Sequence, residues 1–179
     1  IRFYGLLFGK EALADSIFAE VEKNYNELKA LATSQPVKPR LVCELKSGSA
    51  WYVSGGRSTT GKLYADAGAD YVFASYPNPG GVPLSFETVF DKAQDADVWL
   101  MKYNHPTDKT YQSLQEDYAP YANFKAFKDK NIYHCNTAYR PYYEDFPFHP
   151  DRVLKDLIKI FHPSLLPEYE LKYFSKLAE

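Results

Sequence analysis

The run Gly56-Arg57-Ser58-Thr59-Thr60-Gly61-Lys62 matches the opening of a phosphate-cradling loop. In such a loop, glycines bring backbone N–H groups up to a nucleotide and the lysine meets its terminal phosphates. The next position should be Ser or Thr, whose hydroxyl holds the magnesium ion, but here it is Leu63, which has no ligating atom. The context is wrong as well. The loop should leave a buried strand, whereas the lead-in is the short aromatic segment Trp51-Tyr52-Val53, well separated from the strand-like run "RLVCEL" at 40–45. A capped helix describes the same residues better, with Ser58 or Thr59 as N-cap and Gly68 as the C-terminal stop. A nucleotide-dependent enzyme built on residues 56–62 stays open as a reading of a different class, and Lys62→Ala tests it.

Other residues capable of chemistry do not assemble into a catalytic pattern. Of the four histidines, His134 lies inside a strand-like run, and His105, His149 and His162 each adjoin a proline. None has zinc-site spacing, and no nucleophile elbow is present. Cys43 and Cys135 also fall inside apparent strands, where buried thiols are the ordinary reading; a disulfide stays open, and no C-x-x-C pair suggests a metal. Glu144-Asp145 and Asp95/Asp97 read as solvated turns and helix ends. The sequence thus predicts a non-enzymatic protein with no metal centre and no cofactor of its own.

The elements that must position these residues alternate along the chain. "IRFYGLLFGKEALADSIFAEVEKNYNELKAL" carries Leu6, Leu13, Ile17, Val21, Tyr25 and Leu28 at helical spacing, which predicts a long helix from the first residue or soon after. No capping residue precedes it, so the sequence is expected to continue upstream. After the proline-marked boundary "TSQPVKP" come strands at 40–45, 70–75 ("DYVFAS"), 96–101 ("ADVWLM") and 131–136 ("NIYHCN"). Helices are predicted at 57–67, at 85–95 behind Ser85, from Pro150 onward, and in the tail "PEYELKYFSKL". This alternation predicts a parallel α/β sheet covered by helices, a Rossmann-like lobe at 33–179 preceded by the helix at 1–32.

In a sheet of that kind, ligands bind beyond the carboxyl ends of the strands. That edge receives Lys46, Trp51, Lys102, Tyr103, His105, Tyr139, Arg140 and Tyr142, a mixture of cations and aromatics. Such a set suits a flat or anionic small molecule, since Trp and Tyr faces cover it and Lys or Arg neutralises its oxygens. Tyr52 and Tyr143 are expected to pack inward instead. The 179 residues include sixteen tyrosines and carry a net charge of −2, so aromatic contact is abundant while no basic field exists for nucleic acid. A protein-interaction module, its tyrosines forming an interface, is the remaining alternative.

The order of these motifs resembles the C-terminal lobe of periplasmic substrate-binding proteins serving iron-siderophore, haem and cobalamin ABC importers. The resemblance rests on "FGKEALADSIFAEVEKNYNELKAL", "WYVSGGRSTTGKLYADAGADYVF", "PLSFETVFDKAQDADVWL", "FKAFKDKNIYHCNT" and "HPDRVLKDLIKIFHPSLLP", which together span nearly the whole chain. It implies that the first helix is the rigid backbone joining two lobes and that a ferric siderophore, or alternatively haem or cobalamin, is held between them. Arg57 would then border the ligand cleft, and Glu87, in "SFET", would dock on arginines of a membrane permease served by a separate ATPase subunit. The implied location is the periplasm or the outer surface of the cytoplasmic membrane, free or lipid-anchored. The segment "TAYRPYYEDFPF" departs from the Gly-rich, Trp-containing loop common in the family, so Tyr139, Arg140 and Tyr142 stand as contacts specific to this sequence.

Overall fold

A computed structural model describes residues 1–179. The predicted first helix is two: α1 (Arg2–Leu7) and α2 (Glu11–Thr33). Gly9 adopts φ +61° between them, a conformation that costs glycine little and breaks the helical ladder. Val21, Tyr25 and Leu28 face the body of the protein, but Leu6, Leu13 and Ile17 do not; with Phe3, Tyr4 and Phe8 they form an exposed apolar surface.

The central sheet contains β1 (Arg40–Cys43), β4 (Asp70–Tyr71), β6 (Val98–Tyr103), β7 (Ile132–Asn136) and β8 (Ser175–Lys176), in the order β4-β1-β6-β7-β8. Its first four strands are parallel, with Cys43 opposite Leu100 and Tyr103 opposite Asn136; only β8 runs against its neighbour. The predicted strand at 70–75 stops at Tyr71, because Ala74 and Tyr76 turn their amides back onto Tyr71 and Phe73. A second sheet, β2 (Lys46–Ser47), β3 (Ala50–Ser54) and β5 (Gly81–Leu84), is antiparallel and ordered β2-β3-β5. Residues 46–54 therefore form a hairpin where a loop was predicted. Along β3 the two-residue period buries Trp51 and Val53 and turns Tyr52 out to 54% exposure, opposite to its predicted direction.

Helix α3 (Thr59–Asp66) starts where the Ser58 hydroxyl accepts the Gly61 amide at 2.9 Å, and the chain leaves it through Gly68 at φ +80°. Ser85 caps α4 (Phe86–Ala93), and Thr110 forms a capping box with Ser113 on α5 (Tyr111–Asp117). Short helices α6 (Lys125–Lys128) and α7 (Tyr142–Asp145) precede α8 (Pro150–Phe161), which packs on α2 and α3. The tail is not the predicted helix. The buried Asp156 carboxylate takes the amides of Lys172, Tyr173 and Phe174 at 2.7–3.1 Å and the Tyr169 hydroxyl at 2.6 Å, which pulls the segment into turns leading to β8. Trp51, Trp99, Tyr64, Tyr173, Phe73 and Phe124 are the largest side chains of the core. No helix is long and apolar enough to cross a membrane.

Candidate ligand-binding edge

From β1 the chain passes to β4 on one side, then returns across the sheet to β6 on the other. The crevice between the carboxyl ends of β1 and β6 is therefore the topological switch point, where ligands of open α/β sheets bind. Two residues fill it. Glu44, directly after β1, donates its amide to Leu100 O at 2.7 Å and takes φ +65°, which is uncommon for any residue with a Cβ. Its Oε1 is ion-paired with Lys102 Nζ from β6. The Lys102 side chain is only 9% exposed and the Glu44 side chain 20%, so Glu44 is the more exposed of the pair. Burial is the largest single influence and pushes the ammonium down, but the combined attraction of Glu44, Tyr64, Tyr142 and Cys43 holds Lys102 well above an ordinary lysine.

Trp51 is not on the surface of this edge. Its side chain is fully buried, with ring centroids 5.6 Å from Trp99 and Tyr121 and 5.8 Å from Phe124. Its predicted ligand contact is corrected by the pleat of β3, which points it at the core. Its Nε1 donates to Cys43 O at 2.9 Å, and the Nε1 of Trp99 donates to Glu44 O at 2.8 Å. Tyr142 is corrected in the same way: at 3% exposure it packs on Phe146 and Phe174, with its ring centroid 5.8 Å from Lys102 Nζ.

The loop after β6 is fixed from β7. Lys109 N donates to the Tyr103 hydroxyl at 2.8 Å, leaving that hydroxyl to donate to His134 Nδ1 at 2.7 Å. Burial lowers the His134 pKa, consistent with a neutral ring accepting that proton. Asn136 gives its amide hydrogens to His105 O at 2.9 Å and Asp108 Oδ1 at 3.0 Å, and accepts from His105 N at 3.2 Å. His105 itself is exposed, its Nδ1 turned to Thr107. Tyr103 is thus half-buried and committed to the loop, whereas His105 reaches solvent.

The loop after β7 carries the exposed groups. Tyr139 (63% exposed) donates its hydroxyl to Pro106 O, bridging to the β6 loop, and Tyr143 (61%) faces outward, contrary to its predicted inward packing. Arg140 is exposed and takes part in no ion pair; its guanidinium touches only Lys172 O at 3.4 Å and Ser175 Oγ at 3.3 Å. Lys46 lies over the Tyr118 ring at 5.2 Å and lines a concavity of about 290 Å³ with Lys109, Asp117 and Tyr121. Arg57 is exposed just before α3 and is also without an ion pair. Sequence reasoning missed Glu44 and Asn136. Their only signal was position, each at the carboxyl end of a predicted strand.

Most amides of the glycine loop are engaged within the protein. The amides of Gly55, Gly56, Ser58, Gly61 and Lys62 all donate within the protein, to Gly80 O, Tyr76 O, Gly55 O, Ser58 Oγ and Ser58 O. Glycine is required there for packing: a Cβ on Gly56 would lie 1.9 Å from Ala74 O, and one on Gly61 would lie 2.3 Å from Gly55 O. Cys43 and Cys135 are free and buried on strands separated by β6, with burial pushing the thiols up to about 11 and about 12. Glu87 is exposed in the first turn of α4, its pKa lowered by its own backbone amide and the Ser85 hydroxyl.

The model of the periplasmic binding protein family matches residues 1–139, most of the chain and all of the switch-point residues. The chain belongs to this family. Its members are substrate-binding proteins, not enzymes. The fold agrees: over 97% of this chain and 58% of the other, it matches a TroA-like periplasmic binding protein, FepB, from Veillonella parvula, with a TM-score of 0.72 at 16% identity. IsdE of Staphylococcus aureus, solved in complex with heme, matches with a TM-score of 0.65 at 15% identity over 90% of this chain and 62% of that one. An uncharacterized lipoprotein of Methanocaldococcus jannaschii is 27% identical over 98% of this chain. The chain spans 41% of that relative's length.

Proposed function

We propose that these residues form the C-terminal lobe and the connecting helix of a two-lobed binding protein that captures an iron chelate, a ferric siderophore, and delivers it to an ABC permease. The observation that carries this reading is the composition of the strand-end face. Arg140, Arg57 and Lys46 form no salt bridge, and the rings of Tyr139 and Tyr143 on the loop after β7 turn outward. Unpaired guanidinium groups with flat aromatic neighbours suit an anionic chelate presenting carboxylate or catecholate oxygens. The exposed apolar surface of α1 and early α2 supports a second lobe packed against this end of the connecting helix. Glu87, exposed and ionised at the start of α4, is the proposed docking residue, its ATPase partner being a separate subunit. A lipid anchor on the outer face of the membrane accords with the lipoprotein name of the methanogen relative.

Haem is the second reading, supported by the heme-bound state of IsdE and by the exposed His105 ring, whose Nε2 is not used in the protein's own hydrogen bonds. Isothermal titration of the full-length protein with a ferric trihydroxamate, a ferric catecholate, haemin and cobalamin separates these readings. Saturable binding of a ferric siderophore, weakened about tenfold by Arg140→Gln, is the expected result. Glu87→Arg should leave that binding intact and abolish stimulation of the permease-coupled ATPase. Absence of saturable binding to all four ligands would overturn the proposal.

A further inference from the structure

The switch point itself presents an acceptor, although its sequence offers a lysine. Lys102 was expected to neutralise ligand oxygens, yet its ammonium lies beneath Glu44, paired with Oε1 and 3.4 Å from the Tyr64 hydroxyl, with the Tyr142 ring beside it. Of the two, Glu44 is the more exposed. Its carboxylate is held by unusual means. Glu44 sits in the left-handed backbone region, and both indoles of the core spend their single N–H donors on the carbonyls of Cys43 and Glu44. Each indole has only that one donor, and nothing in the β-strand ladder requires it to go there. Residues kept in sparsely populated backbone conformations by a rigid surround cluster at ligand clamps.

Resting on the chelate reading above, we propose that Glu44 is a specificity-determining residue, accepting a hydrogen bond from an N–H, O–H or ammonium group of the ligand. The ligand's anionic oxygens then lie toward the perimeter, where Arg140, Arg57 and Lys46 are without carboxylate partners. Trp51 and Trp99 act as positioning residues, touching no ligand. Lys102 pairs with Glu44 at the rim of the core without exposing a cation of its own. A ligand whose anionic oxygens were directed at the switch point would face the carboxylate before the ammonium and be disfavoured by like charge.

The test uses two ferric trihydroxamate chelates differing by one charge, ferrioxamine B with its free ammonium and its N-acetyl derivative, titrated into the full-length protein. The wild type should bind the ammonium form about three- to tenfold more tightly, the range for a partly exposed charge contact. Glu44→Gln should reduce that ratio to near one. Because Glu44→Gln strands the buried Lys102 ammonium, Glu44→Gln/Lys102→Met is the second variant and should give the same ratio with no stranded charge. Equal affinity of the wild type for the two chelates, or a preference surviving in both variants, would overturn the role of Glu44 while leaving chelate binding standing. Failure of both chelates to bind the wild type would overturn this inference, while the chelate reading itself is decided separately by the four-ligand titration above.

Discussion

Replacing Trp51 by Phe separates a core tryptophan from a ligand-contacting one. In the structure the indole is fully buried and its Nε1 is the donor to Cys43 O, itself in a fully buried residue. Phe retains most of the aromatic packing but loses that donor. Leaving a buried carbonyl unpaired costs roughly 1–3 kcal/mol. The missing part of the indole opens a void among Trp99, Tyr121 and Phe124, which adds about 1–2 kcal/mol. The variant should therefore unfold about 3 kcal/mol more easily, a large share of the ~5–15 kcal/mol typical of a domain. Trp99→Phe should cost less, because its acceptor, Glu44 O, is only part-buried and water can replace the indole there. Urea unfolding followed by far-UV circular dichroism measures both, with unchanged m-values confirming that the effect is on stability. A cost below about 1 kcal/mol for Trp51→Phe would refute this account, as the threshold is the lower bound for the unpaired carbonyl alone.

Two further outcomes are expected. His134 and His162 both have lowered pKa values, burial being the main cause in each. Their neutral forms are favoured in the fold, so their contribution to stability is complete above the unfolded value of about 6.5 and is lost as pH falls below it. Urea midpoints at pH 7.5, 6.5 and 5.5 should decline in that order, and His134→Gln should flatten the decline; an unchanged slope in that variant would contradict the assignment. In the glycine loop, Lys62→Ala should shift stability by no more than about 0.5 kcal/mol, since the side chain is exposed. Gly56→Ala should destabilise by more than about 2 kcal/mol or prevent folding, because its Cβ would meet backbone at Ala74. A mild Gly56→Ala effect in a thermal melt, or nucleotide binding lost in Lys62→Ala, would revive the phosphate-loop reading.

How far the sequence carried differs from element to element. Helical periodicity located α2, Pro150 located the start of α8, and cap chemistry located α3 and α4 at Ser58 and Ser85, because these signals lie within a few residues of each other. Apolar runs located β1, β6 and β7, and their alternation with helices was enough for a parallel α/β sheet. The rule about strand ends then brought Lys102, His105 and Arg140 to one edge from composition and order alone.

Tertiary structure decided which of those residues are exposed at that edge and which are buried. Trp51 and Tyr52 are neighbours of similar chemistry, and only the pairing of β3 with β2 and β5 settles that the first is buried and the second exposed. A one-residue change of register would exchange them. Lys102 became a hidden cation because β1 delivers Glu44 directly over it, a juxtaposition across 58 residues of chain that no local pattern encodes. The tail from Pro167 reads as helix locally, yet the buried Asp156 carboxylate takes the amides of Lys172, Tyr173 and Phe174 and draws the segment into turns. Sequence determined the elements and their order through short-range physics. Register, burial and the partner of each charge came from contacts between distant segments.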